Sequence, residues 1–565
     1  MEELPTELNV VTLNCWGLLY LSEHRAERLT AIGRYLAAAE PTPHIVALQE
    51  CWTQDDYRSI RRETRFALPF GKFYHSGVFG TGLAILSKWP IEESTMFRYP
   101  LNGRPTAFFR GDWYAGKGVA CARIRYGSGE KDIVEVFNTH THPAYEHPQR
   151  DTYMVHRLSQ AWELSKLIRG ATERGHLALA LGDFNDVPLS LPYRLMTAHA
   201  PVRDAWRVLN PDSSLGSADH EMERARRRPI PTASFNIDEN GATCDSAYNT
   251  WSWSKSEQKA ICAGNRFIPP DTPDPLGQRV DYIFYSRGLS PSVTSELCEI
   301  LSAHNHCLDD ELDGRNLNPP GWVVKDVRVG LTVRHPTLGC SLSDHFSVEA
   351  TFVLHTPTTQ PPTSPGMRGG GGLKVPTAKE AGRSGGSIHS RPSTEAGALT
   401  IGAMEQGTYL QSPTASEHRR QNSRDRVAYD AQLQGFHSDA VGAGLPCATY
   451  DEILALIRAY EGRERSQRKW RSAHCLAWTL VVLICYVAVW FVPGPVSFVF
   501  LILSSLGFLA GAVDGLLALL FFGPELAALN EFEWEIMNAK ASASGAYGPV
   551  QGGDEGEKPW YGDLP

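Results

Sequence analysis

Residues 177–186 read L-A-L-A-L-G-D-F-N-D, and they decide the fold. Five apolar residues closing on a glycine predict a buried strand with a turn at its end. Asp183 and Asn185 lie one residue apart, so both side chains face one cleft while Phe184 between them points into the core. The same signature recurs along the chain. Asn14 closes the run NVVTLN, Glu50 closes HIVALQE, His140 closes IVEVFNTH, and Asp344 with His345 stand in LSDHF. Each of the five motifs is expected at the end of a strand. Between Leu8 and Leu354 further β-rich runs such as TGLAILS, GVACARI, VDYIFY and SVEATFVL alternate with turn-rich stretches. Helical patterns are few: one around His24 to Ala39, with Leu29, Ile32 and Leu36 on one face, and one around Tyr153 to Arg169. Many strands with few, widely spaced helices predict an α/β fold, a two-layer β-sandwich flanked by helices, over residues 1–355. The stretch 210–263 breaks the rhythm and reads as an insertion.

At 565 residues the chain exceeds what one core usually organises, and its formal charge of -9 argues against a surface built to embrace nucleic acid. The 11 cysteines are scattered, odd in number and without metal-site or redox spacing, which points to a reducing compartment. The start, MEELPTELNV, has neither the basic nor the apolar region of a secretory signal, so the first domain is expected in the cytosol.

Residues 356–444, with TPTTQPPTSPG and RGGGG, are too poor in large apolar side chains to fold and read as a disordered linker. A juxtamembrane helix is expected over 445–472, started by a capping box at Thr449. Residues 475–492 and 497–522 are almost continuously apolar and near the length that crosses a bilayer, with Pro493-Gly494-Pro495 as the turn between them. Arg463, Arg465, Arg468, Lys469 and Arg471 crowd the entry to the first span. They predict that both termini, including a tail over 523–565, are cytosolic, and they are suited to anionic headgroups. Asp514, inside the second span, either faces a partner helix or lies nearer the interface.

The motif residues are the kinds that metal-assisted cleavage of a phosphodiester requires. Glu50 offers the hard carboxylate oxygen that Mg²⁺ prefers, with Asn14 helping to position the ion and Asp344 beside it or its waters. His345 is the candidate base for the attacking water. Asp183 would orient that water, Asn185 would donate to the phosphate oxygen that gains charge, and His140 to another, with His142 as a second choice. Residues 111–118, GDWYAGKG, nearly match a nucleotide-binding loop. Gly118 replaces the hydroxyl residue that would touch Mg²⁺ and a strand follows, so nucleotide binding is not expected.

Taken in order, these motifs resemble the endonuclease/exonuclease/phosphatase superfamily, with its DNase-I-like fold. Within it they resemble the neutral sphingomyelinases and fungal inositol phosphosphingolipid phospholipases C, over about Leu8 to Val353. The resemblance implies a Mg²⁺-dependent phospholipase C that releases ceramide and a phosphorylated headgroup from a membrane sphingolipid. It also implies that Asp281, in QRVDYIFY, holds His345, and that Asp112 and Lys117 form a switch controlling substrate access. Anionic phospholipids are the implied activators, and the membrane that of the endoplasmic reticulum or the mitochondrial outer membrane; no protein partner is predicted. Two other readings compete: a nuclease or inositol polyphosphate phosphatase on the same fold, and an inactive membrane scaffold. The pair of spans favours a bilayer substrate. The P-A-W-C-D-R segment of the phosphatases is absent, and the full set of polar groups argues against a spent site.

Overall fold

The computed structural model describes residues 5–146, 151–261, 267–288, 321–355, 432 and 444–545. Its first strands are β1 (Glu7–Asn14), β2 (Ile45–Gln49), β3 (Phe70–Phe73), β4 (Ala84–Ser87), β5 (Ile91–Arg98) and β6 (Gly118–Arg125). They are followed by β7 (Ile133–His140), β8 (Leu177–Asp183), β9 (Arg203–Asp204), β10 (Asp281–Tyr285), β11 (Gly321–Gly330) and β12 (Ser347–His355). Two six-stranded sheets result, ordered β11-β12-β1-β2-β4-β3 and β5-β6-β7-β8-β10-β9. This is the expected two-layer, DNase-I-like sandwich.

Both faces of the central strands are buried, which is why they read as unbroken apolar runs. Val10, Ile45 and Ile85 face Val136, Leu179, Leu181 and Ile283 across the sandwich. Val11, Leu13 and Leu48 point the other way. They lie under Leu29, Ile32 and Leu36 of α1 (Arg25–Ala38) and Ile60 of α2 (Gln54–Thr64). On the second sheet Phe137, Ala180 and Phe284 lie under Leu164 and Ile168 of a helix over 154–173.

Each sheet contains one parallel pair with a helix in the connection. β1 and β2 run parallel with Asn14 opposite Gln49, and β7 and β8 run parallel with His140 opposite Asp183. Two parallel pairs therefore end at one edge of the sandwich. The antiparallel neighbours bring their beginnings to that edge: Asp281, first residue of β10, pairs with Asp183, and β12 runs antiparallel to β1. Asp344 and His345 thus precede a strand instead of closing one, a correction to the sequence reading. The physical reason is that an antiparallel partner presents its N-terminal end where its neighbour presents the C-terminal one.

The stretch read as an insertion folds onto the domain as short helical turns. Trp251 packs on Trp16, with ring centroids 4.6 Å apart, and its indole N–H donates to Ser341 O at 2.9 Å. Trp253 donates to Ala247 O at 2.8 Å.

Further helices are α3 (Asp112–Ala115), α4 (Met154–Glu173), α5 (Leu191–His199), α6 (Cys447–Ala488), α7 (Gly494–Leu520) and α8 (Phe522–Ala543). The expected juxtamembrane helix and first span are one continuous helix, α6. It starts two residues before Thr449, after Pro446, with no side-chain cap, so the expected capping box does not form. The segment read as a tail contains α8, which turns back onto the domain. Leu526, Leu529, Phe532 and Ile536 of α8 and Ile453, Leu454, Ile457 and Tyr460 of α6 share one core with Leu158 and Trp162 of α4.

α6 and α7 are long and apolar enough to cross a membrane. Leu480, Ile484, Phe498, Leu501 and Phe508 are exposed. Gly507 and Gly511 of α7 let Trp478 of α6 lie against the backbone; a Cβ at Gly507 would meet the indole at 2.0 Å. Asp514 is ion-paired with Arg471 and accepts from His474 Nδ1 at 2.7 Å, so it both faces the partner helix and sits level with the basic cluster. Of the expected linker, only Gln432 and residue 444 fall within the described residues. Gln432 is buried, accepting from the Val324 N–H at 3.0 Å and donating to Val324 O at 3.0 Å.

Candidate active site

The strand ends that meet at one edge bring Asn14, Glu50, His140, Asp183, Asp281 and His345 together. Glu50 follows β2 in a left-handed turn, φ 54°, which swings its carboxylate out of the sheet and back over the edge. Asn14 joins the two sheets: its amide N–H groups donate to Glu50 Oε1 at 3.2 Å and to Asp183 Oδ2 at 3.0 Å. The Asn185 backbone N–H donates to Asp183 Oδ1 at 2.9 Å, fixing that carboxylate from its other side. Asn185 itself has φ 48°, and its amide donates to Thr141 O at 3.2 Å. Phe184 packs on Tyr282 and Phe284 in the core, so the alternation read from the sequence is present.

His345 Nδ1 lies 2.8 Å from Asp281 Oδ2, and Asp281 is fully buried. This contact directs the other ring nitrogen, Nε2, toward Asp183 Oδ2, 4.0 Å away. His140 Nε2 stands 3.5 Å from the same oxygen. Burial, and then Lys117, push the His140 pKa down to about 3, so its imidazole is neutral near pH 7. Burial alone would also lower His345. The adjacent Asp281, followed by Asp183 and Asp344, outweighs it and holds the group well above the usual histidine range.

Glu50 is shifted upward as well, but for a carboxyl that favours the uncharged form. Burial and then the charge of Asp344 push its carboxyl up to about 7, although the Asn14 hydrogen bond and His345 pull the other way. Its Oε2 is enclosed and has no hydrogen-bond donor among the described residues. A hard anionic oxygen left without a donor, beside a second acid, is what a hydrated divalent cation accepts as a ligand. Asp183, Asp281 and His345 also converge, with ligand atoms within 4.8 Å of one another. Their 2.8 Å contact is already a hydrogen bond. The unsatisfied Glu50 oxygen is therefore the stronger argument for where an ion fits.

Asp112 and Lys117 meet as an ion pair at 3.5 Å, both buried. Lys117 Nζ also donates to Thr141 O at 3.0 Å, beside His140, and Tyr145 OH donates to Asp112 Oδ2 at 2.8 Å. His142 faces this pair, 3.7 Å from Asp112 Oδ2, and stacks on Tyr153. It belongs with the Asp112–Lys117 pair more than with the Asp183 cluster. β6 follows Lys117 directly, as the sequence indicated.

Sequence reasoning missed Arg28. Its guanidinium is fully buried and donates to Cys15 O at 3.2 Å, Trp16 O at 2.8 Å and Leu342 O at 2.8 Å. It ties the loop after Asn14 to the loop that carries Asp344 and His345. The one signal was a charged residue beside Leu29, next to the apolar face of α1.

The model of the endonuclease/exonuclease/phosphatase family matches residues 11–345, from within β1 to His345. The chain belongs to that family. Among its relatives in this family is the inositol phosphosphingolipids phospholipase C of Schizosaccharomyces pombe, 40% identical over 63% of this chain and 70% of that protein. The Saccharomyces cerevisiae protein of the same name is 27% identical over 94% of this chain and 90% of its own length, a span that takes in the C-terminal helices. Human sphingomyelin phosphodiesterase 2 is 28% identical over 63% of this chain and 67% of that protein. Phosphodiester hydrolysis is the chemistry that the family fold supports, and these relatives are by name sphingolipid phosphodiesterases.

Proposed function

We propose that the protein is a membrane-anchored phospholipase C that cleaves the phosphodiester of an inositol phosphosphingolipid or sphingomyelin, releasing ceramide and a phosphorylated headgroup. The observation that carries this reading is the His345–Asp281 pair, directed at Asp183 beside the unsatisfied Glu50 oxygen. It is a site for activating water against a phosphate, in a chain whose relatives are named for sphingolipids.

Glu50 would hold Mg²⁺, with Asn14 and Asp344 as further or water-mediated ligands. The ion would supply a Lewis acid that offsets the phosphate charge and the neighbouring acids and eases departure of the ceramide oxygen. Asp281 keeps the His345 ring oriented, and with the neighbouring acids that hold the imidazole charged offset by a cation at Glu50, Nε2 would be free to take a proton from water as its oxygen approaches phosphorus. Asp183 orients that water. Asn185 and neutral His140 donate to phosphate oxygens that gain charge in the transition state. Lys117 either pairs with Asp112 or turns to the phosphate, and cannot satisfy both, so the pair regulates access.

α6 and α7 would span the bilayer, at the endoplasmic reticulum or mitochondrial outer membrane, with both termini cytosolic. Arg463, Arg465 and Arg471 are already paired with Glu464, Glu461 and Asp514. Arg468 and Lys469 are exposed, and neither forms an ion pair with an acid among the described residues. Anionic phospholipid would therefore act mainly through these two. Activity of Arg468→Gln/Lys469→Gln that kept its full dependence on anionic lipid would leave the cluster as a topology signal only.

The deciding assay offers the solubilised protein, with Mg²⁺, inositol phosphoceramide, sphingomyelin, a glycerophospholipid and abasic DNA. Ceramide release that disappears in Glu50→Gln and His345→Ala supports the reading. Cleavage of DNA alone would overturn it.

A further inference from the structure

Outside the candidate site the large apolar side chains of Val78, Phe79, Phe108 and Phe109 are exposed, by 78%, 52%, 54% and 101%. Singly, exposed apolar residues are ordinary; a contiguous group marks a contact surface. These four are contiguous. The backbone N–H groups of Val78 and Phe79 donate to Tyr114 O at 2.7 and 3.1 Å, which binds the loop after β3 to α3. Around that joint the rings touch in series, with Phe79–Tyr114 centroids 5.6 Å apart, Phe108–Tyr114 5.1 Å and Phe108–Phe109 5.8 Å.

The series continues to the C-terminal helices. Trp113 lies 5.0 Å from Tyr114 and meets Phe521 edge-on at 4.6 Å. Phe521 is the residue between α7 and α8, where the apolar helix ends and the domain-packed helix begins. The same short helix, α3, opens with Asp112 of the Asp112–Lys117 pair. One aromatic ridge therefore joins the end of an apolar helix to the mouth of the site.

We propose that Val78, Phe79, Phe108 and Phe109 form a lip that inserts into the bilayer leaflet entered by α6 and α7, seating the mouth of the site on the lipid. The proposal rests on the reading of those helices as spans. Continuity with Phe521 sets the level of the lip, and fixes the bilayer as its occupant. Trp113 and Tyr114 behind it are the ring types that favour the headgroup boundary, and the phenylalanines ahead of them favour the acyl region. Bearing the lip on α3 also makes lipid contact felt next to Asp112.

The test places a fluorescent amino acid at position 109 of the full chain in nanodiscs, with reference probes at 508 and 66. Phe508 is exposed on α7. Phe66 is 85% exposed and lies just before β3, whose first residue pairs with Ser87, itself opposite Ile45 at the end of β2 remote from Glu50. Quenchers carried on acyl chains are expected to dim positions 109 and 508, and an aqueous quencher only position 66. Dimming at 508 without 109 overturns the lip alone; dimming at neither overturns the spans and the lip together. A second measurement compares turnover of bilayer substrate with that of a short-chain, water-soluble one. Phe108→Ser/Phe109→Ser and Val78→Ser/Phe79→Ser should each lower the bilayer-to-soluble ratio roughly tenfold, while Phe66→Ser leaves it unchanged. An unaltered ratio in both double variants, whether from equal loss or from none, or acyl-chain quenching at 66, would refute insertion.

Discussion

Replacing Asp281 by asparagine removes one charge and almost no volume, so it tests the base assignment with little disturbance to packing. Asp281 is fully buried, and its Oδ2 is 2.8 Å from His345 Nδ1. An asparagine there has two orientations. With its carbonyl toward Nδ1, the amide N–H groups take the place of Oδ1, a buried oxygen that makes no hydrogen bond among the described residues. With its N–H toward Nδ1, that nitrogen must accept, so the proton moves to Nε2 and the ring cannot take one from water. Relief of the stranded amide favours the second orientation. Loss of the correct tautomer in an oriented imidazole costs roughly 10³–10⁴-fold in kcat, or about 4–5.5 kcal/mol at the usual conversion. The assay is ceramide release by Asp281→Asn under saturating Mg²⁺, beside a thermal melt of the same preparation. A loss below tenfold in a normally folded variant would refute the role given to this pair, and with it the choice of His345 as base.

Other perturbations probe the frame around the site. Gly182→Ala should destabilise by about 4 kcal/mol or more, because the residue has φ +146° and a Cβ would stand 1.9 Å from Thr139 O; an unchanged melting temperature would contradict the register of β7 and β8. Arg28→Met leaves four carbonyls, those of Cys15, Trp16, Glu23 and Leu342, without their donor and should cost about 3 kcal/mol in denaturant titrations, with kcat falling more than KM rises as the two site loops part. His44 accepts from the Asn9 N–H at 3.0 Å, and burial followed by Lys88 pushes its pKa down to about 4. The folded state therefore binds fewer protons than the unfolded chain, so stability is lost as pH falls from about 6.5 to about 4. Allowing for a half-buried ring, the loss is about 1–2 kcal/mol. His44→Asn, which accepts the same hydrogen bond without charging, should flatten that part of the curve, as followed by tryptophan fluorescence.

The sequence was most informative where a residue had to serve two neighbours at once. Buried central strands announce themselves as apolar runs, and the polar residues closing them mark an edge, so Asn14, Glu50, His140 and Asp183 were legible without any geometry. Strand direction was not legible: the pattern around LSDHF is the same whether a strand ends or begins there, and only pairing with β1 decides it. Helix α8 was hidden for a related reason. Its buried positions, Leu526, Leu529, Phe532 and Ile536, are interleaved with Glu525, Glu531, Glu533 and Glu535. Those acids look like a solvated tail, although Glu525 accepts from Tyr460 OH at 2.7 Å and Glu535 from Lys166 Nζ at 3.0 Å. Arg28 escaped notice because a buried arginine whose acceptors are backbone carbonyls leaves no partner in the sequence to find.

The return of α8 onto α4 and α6 bears on how such a protein would work in a crowded membrane. A head wedged against its own stalk cannot swing out to forage, and the length of chain between residues 355 and 444 does not set its radius of action. Encounters then depend on molecules drifting sideways beneath it. The pace of catalysis should track how fluid the surrounding sheet is, slowing in tightly ordered patches even where the quarry is abundant.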